Sequence, residues 1–202
     1  MTLAVAPIAF VLMSLLVAPV MPGPGDGQGQ ATASPPAGSA TAPPTNPAIA
    51  AMKRLDFLVG QWEGTGWIQT GRERATFRQR ETVRYAAGGV VVIVDGLGRS
   101  ADPARQDQVV HQAFAVVSYD AAQQAFRWRA YRAADGNEIT AQPEVSTDKL
   151  VWGFELPQPG AGRVRFTITR TPAGDWFEIG EIGRPSGEWM PFFEMTLKRT
   201  GS

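Results

Sequence analysis

From residue 60 to the end of the chain, apolar and polar residues alternate with a period of two, broken at short intervals by glycine, proline and aspartate. Successive runs of this kind cover about 60–70, 74–86, 89–97, 109–119, 124–133, 137–145, 148–156, 162–171, 174–182 and 190–200. Turn signals separate most of them: Gly88-Gly89, Tyr119-Asp120, Ala134-Asp135-Gly136, Gln158-Pro159-Gly160 and Pro172 to Asp175. Before them, Ile49, Met52, Leu55 and Val59 recur every three or four residues, opposite Lys53, Arg54 and Asp56. Asn46-Pro47 has the form of an N-cap and first helical residue, so one helix is predicted over about 47–58. Ten short strands and no second helical stretch predict an all-β domain: an antiparallel up-and-down barrel of about ten strands with one short N-terminal helix.

Alternation also assigns faces. Phe77, Gln79, Glu81, Val83 and Tyr85 share one face of their strand, and Arg74, Arg78, Arg80 and Arg84 the other, which must be the solvated one. By the same rule Phe126, Trp128, Ala130 and Arg132 point inward, as do Leu150, Trp152 and Phe154, and Val164, Phe166 and Ile168. In the last strand Phe193, Met195, Leu197 and Arg199 form one face. The inward Glu81 and Arg132 predict an internal ion pair, and the outer arginines are expected to be balanced by Glu178, Glu181, Glu188 and Glu194.

The first 52 residues hold one charged side chain, Asp26. Residues 3–20 are uncharged and mostly apolar, and Ala31-Thr32-Ala33 offers a small-residue cleavage site. Residues 1–21 therefore read as a signal peptide, and the expected location is periplasmic or secreted, with no integral membrane span once the leader is removed. Residues 22–46 are rich in Pro, Gly, Ala, Ser and Thr, too poor in apolar surface to offset their ordering entropy, and read as a disordered linker. That leaves 47–202 as the single folded domain.

All 19 basic residues and 18 of the 19 acidic ones lie beyond residue 52, a balance that gives no reason to expect nucleic acid as a partner. Without cysteine, disulfides, thiolate metal sites and thiol catalysis are excluded. His111 is the only histidine and reads as a hydrogen-bonded or solvated strand residue; with no cysteine to join it, no metal site is expected. No serine stands in a G-x-S-x-G elbow. Gly96-Leu-Gly98-Arg-Ser-Ala101 imitates a dinucleotide fingerprint, but nothing after it can open a packed helix, and it reads as a polar loop.

The most specific run is Leu58-Val-Gly60-Gln-Trp62-Glu-Gly64-Thr-Gly66. It places a large ring and two bare positions on one strand face, which suits a tightly coiled sheet plugged at one end. This run resembles the opening of lipocalin-like (calycin) barrels, in particular the nitrobindin-like and DUF1579-type bacterial proteins. The resemblance implies ten strands, and it implies that Arg199 of the last strand covers the Trp62 ring. Nitrobindin-like proteins bind haem through a histidine near the C-terminal end of the barrel; residues 174–200 contain none, so that ligand does not carry over and no cofactor is expected.

The expected function is burial of a small apolar or amphipathic molecule. Phe77, Tyr85, Trp128, Trp152, Phe154 and Phe166 would form the walls, and Gln79, Glu81 and Arg132 would hold the polar end. The alternatives are an isomerase- or hydrolase-type enzyme using an interior Glu81 or His111, haem binding through His111, and a structural envelope protein with a filled barrel.

Overall fold

The structure, a computed structural model, describes residues 46–133, 135–157, 162–184 and 186–201. The leader and nearly all of the linker read from the sequence lie outside these residues. Asn46 caps the helix as expected, its Oδ1 accepting from the Ala48 N–H at 2.9 Å. The α-helix is shorter than predicted: α1 covers Pro47–Met52 and tightens into a 3-10 turn at Lys53–Leu55. The tighter turn brings the chain round to the first strand while Met52, Leu55 and Leu58 stay buried. Among the described residues no helix is long and apolar enough to cross a membrane.

Eleven antiparallel strands follow. They are β1 Gly60–Thr70, β2 Glu73–Ala86, β3 Val91–Ser100, β4 Val109–Asp120, β5 Ala125–Tyr131 and β6 Glu138–Ala141, then β7 Glu144–Val145, β8 Lys149–Glu155, β9 Arg163–Arg170, β10 Trp176–Gly183 and β11 Trp189–Gly201. They form one sheet in the order β6-β5-β4-β3-β2-β1-β11-β10-β9-β8-β7, up and down throughout, curled into a half-barrel. The predicted strand over 137–145 is two strands, which is why there are eleven rather than ten. Pro143 lies in the gap between them and has no N–H to give a ladder. β6 then pairs with β5 and β7 with β8, so these two are the edges of the sheet. What spans this seam is aromatic: Trp128 of β5 stacks on Trp152 of β8 with ring centres 4.9 Å apart.

The first and last strands pair, with Trp62 opposite Arg199. Gly64 is needed for this closure, because a Cβ there would stand 2.0 Å from the Thr196 carbonyl oxygen. Gly60 enters the sheet at φ +138°, a backbone state closed to other residues, with the Arg199 side chain over its Cα. The Trp62 ring is buried, donates from Nε1 to the Leu58 carbonyl at 2.8 Å and meets Trp176 edge to face at 5.8 Å. Arg199 lies 4.2 Å over its face and donates to the Phe57 and Val59 carbonyls, tying the helix segment to the last strand. This is the closed end. The opposite end, where β1 runs into β2 and β4 begins, is the mouth.

Candidate functional site: the concave face of the half-barrel

Most of the inward faces are as alternation predicts: in β2, Phe77, Gln79, Glu81 and Val83 are buried while Arg74, Arg78, Arg80 and Arg84 are exposed. The outer arginines find partners on neighbouring strands. Arg80 pairs with Glu63 at 2.8 Å, Arg165 with Glu181 at 2.7 Å, and Arg74 lies 3.7 Å over Trp67.

The middle of the concave face holds polar groups in a notch made of glycines. Register places Gln79 between Gly64 of β1 and Gly98 of β3, and Glu81 between Trp62 and Gly96. A Cβ at Gly96 would be 2.2 Å from both Glu81 carboxyl oxygens, and one at Gly98 would be 2.3 Å from Gln79 Oε1 and 3.1 Å from His111 Cβ. The G-x-G read as a polar loop is therefore part of β3, and its missing side chains make room for two buried polar ones. Its glycine signal was real, but what the glycines admit is the β2 side chains rather than a phosphate.

Gln79 Nε2 donates to Glu81 Oε1 at 2.8 Å. Gln79 Oε1 and Glu81 Oε2 are buried with no partner, an uncommon state; the amide oxygen asks for a donor, and a protonated Glu81 for an acceptor. Nearby, Glu178 of β10 is also buried and accepts from Trp176 Nε1 at 3.1 Å. Burial pushes the Glu81 carboxyl up to about 8, helped by the Glu178 charge and, after the opposing Gln79 bond, by Asp95. Burial pushes Glu178 up to about 7 against the Trp176 hydrogen bond. Glu178 was expected on the outer face and is a correction. Its signal lay in β10 itself, since Trp176, Glu178 and Gly180 share parity and the ring fixes which side faces in.

Above this polar layer runs an aromatic belt. Ring centres link Phe77 to Phe193 at 5.8 Å, Phe193 to Phe166 at 5.9 Å, Phe166 to Trp152 at 4.7 Å, and Trp152 to Trp128 at 4.9 Å; Phe154 stacks on Trp152 at 6.1 Å. A bulge in β11 inserts Phe192, whose ring meets Phe166 at 5.6 Å. Five of the predicted wall residues, Phe77, Trp128, Trp152, Phe154 and Phe166, are thus brought together, and Phe193 joins them. His111 also belongs here: it lies 5.6 Å from Phe77 and 4.9 Å from Phe193, half-buried, and makes no hydrogen bond among the described residues. Of the two expected states, a hydrogen-bonded or a solvated strand histidine, the hydrogen bond is not made among the described residues, and the ring keeps partial solvent access. Burial lowers it to about 4, so at neutral pH it is an uncharged imidazole.

Two predicted residues stand elsewhere. Arg132 shares the inward parity, but β5 ends at Tyr131, and the exposed guanidinium bonds to Asp135 in the turn; there is no Glu81–Arg132 pair. Tyr85 lies at the closed end, where its hydroxyl reaches Asp56 and the Met52 carbonyl; it anchors the helix and lines no part of the belt. A surface cleft of about 470 Å³, lined by Lys53, Arg54, Asp56, Asp148 and Arg170 among others, also lies at the closed end. Its charges are mixed and it opens to solvent beside the helix, away from the belt.

No family model matches the chain, and no curated protein is similar to it. Among solved structures, the crystal structure of Rv2717c from M. tuberculosis superposes with a TM-score of 0.50 at 9% identity, covering 77% of this chain and 98% of that one. That likeness establishes a shared half-barrel β fold and nothing finer.

Proposed function

We propose that this chain is an exported binding protein that holds a small apolar or amphipathic molecule against the concave face of its half-barrel. One observation carries the reading. Trp62, Trp176 and Leu197 at the closed end are buried, as are Phe77, Trp128 and Phe193 of the belt, whereas Trp152, Phe154 and Phe166 toward the mouth are only half-buried. Aromatic surface left accessible on a concave face is what a ligand would cover, at ~25 cal/mol per Å² removed from water. The Leu58–Gly66 run supports kinship with nitrobindin-like and DUF1579-type proteins, and the apolar residues 3–20 support export. The inward residues of β10 and β11 include Trp176, Glu178, Phe193, Met195 and Leu197, and neither strand offers an imidazole, so we derive no haem chemistry from the kinship.

A catalytic reading has less support. Among the described residues no nucleophile–base pair forms, since His111 packs between rings while Glu81 and Glu178 are bonded to Gln79 and Trp176.

Titration with the neutral apolar fluorophore N-phenyl-1-naphthylamine should give saturable enhancement. Trp152→Ala and Phe166→Ala should each weaken it by about ten- to a hundredfold, the equivalent of one lost aromatic contact. Tyr85→Phe should leave it unchanged. Absence of saturable binding by protein that melts cooperatively would overturn the reading.

A further inference from the structure

We infer that the concave site is selective for a neutral hydroxylated aromatic molecule, with His111 as the residue that determines this. The inference rests on the binding reading above and adds the ligand's chemistry. Besides the unpartnered indole N–H groups of Trp128 and Trp152, which can only donate, the belt holds His111, which lies against Phe77 and Phe193 and can both donate and accept. An uncharged imidazole offers one N–H and one acceptor nitrogen, and neither is used within the described residues. Beside it, across the bare Cα of Gly98, lies Gln79 Oε1, buried and unpartnered. The imidazole N–H, unpaired within the described residues, and the buried, unpartnered amide oxygen are two halves that one hydroxyl completes. Its oxygen accepts from His111 and its hydrogen goes to Gln79 Oε1. A carboxylate ligand would bring no hydrogen for Gln79 and would give up its hydration on an apolar belt with no cation among the described residues to pair with it. Neither of the two guanidiniums of inward parity could offset that, because Arg132 turns out to Asp135 and Arg199 covers Trp62 at the closed end. The belt around His111 is built of rings, and an aromatic molecule laid against their exposed faces and edges gains ring–ring contacts that an alkyl chain would not.

The test is a matched series followed by tryptophan fluorescence and calorimetry at pH 7: 1-naphthol, naphthalene, 1-naphthoate and 1-naphthylmethylammonium. The hydroxyl compound should bind at least about tenfold more tightly than the other three. His111→Phe, which keeps the belt filled, should erase the advantage of naphthol over naphthalene without weakening naphthalene. His111→Gln, which restores a donor and an acceptor, should recover part of it. Naphthoate or the ammonium compound binding as tightly as naphthol would overturn the ligand class. An unchanged naphthol-to-naphthalene ratio in folded His111→Phe would overturn the role of His111. If none of the series binds while N-phenyl-1-naphthylamine still does, this inference fails and the binding reading stands; if neither binds, both fail.

Discussion

Replacing Trp62 with alanine is expected to cost ~3–5 kcal/mol of folding stability, the largest single loss in the molecule. The ring is 1% exposed and fills the closed end against Trp176, beneath the Arg199 guanidinium. Its removal opens a cavity, leaves the Leu58 carbonyl without its donor and takes away the surface on which Arg199 rests. Three connections fail together: the barrel plug, the helix-to-strand turn and the pairing of first and last strands. Urea unfolding measures the loss directly. Trp62→Phe, which keeps a ring but not the N–H, should fall between wild type and alanine. A Trp62→Ala protein within 1 kcal/mol of wild type would mean that the closed end is not the keystone described here.

The second large effect is on pH dependence. Below about pH 4.5, the ordinary value for glutamate, both folded and unfolded chains hold the protons of Glu81 and Glu178, and the carboxyls cost nothing. As pH rises, the unfolded chain releases them while the folded one holds on, until about 7 for Glu178 and about 8 for Glu81. Across that window each group lowers folding stability by ~1.4 kcal/mol per pH unit. His111 acts in the opposite sense: the unfolded chain takes up a proton below about 6.5 and the folded one resists until about 4, so its contribution is lost as pH falls. Two carboxyls outweigh one imidazole, and the unfolding midpoint should fall from pH 5 to pH 8. Glu81→Gln keeps the size and a hydrogen-bonding end while removing the titration. It should flatten the slope by about one proton and raise stability at pH 8. A wild-type midpoint that is constant or rises over this range would contradict the burial of the two carboxyls as neutral groups.

The fold was legible because its signals are local. A period-two pattern interrupted by turn residues gives strand positions to within a few residues, and Trp62 with Gly64 and Gly66 gives the closed end. The opposition of Trp62 to Arg199 followed from the resemblance and is present in the β1–β11 register. What misled were residues whose partners are distant in sequence. Arg132 has inward parity, but parity holds only while the strand lasts, and Asp135 three residues on takes its charge. Tyr85 is on the inward face at a height that only the helix position reveals. Glu178 was missed because a buried carboxylate is improbable in isolation; the space and neighbours that admit it come from other strands. Gly96 and Gly98 looked like a loop because a glycine pair in a strand makes sense only once Gln79 and Glu81 are placed beside it. His111, likewise, is plain as one residue of β4, and acquires meaning from Phe77 and Phe193 on strands far along the chain.

If the binding reading is right, the concave face beside Trp152, Phe166 and His111 is occupied in the cell. Native mass spectrometry of the protein isolated from its own host without detergent reads that occupancy. A stoichiometric mass excess from one small molecule is expected, released on denaturation and identified as neutral and aromatic. The excess should disappear from the Trp152→Ala, Phe166→Ala double variant. A mass equal to the processed polypeptide alone, in protein that also fails to bind apolar probes, would contradict that reading.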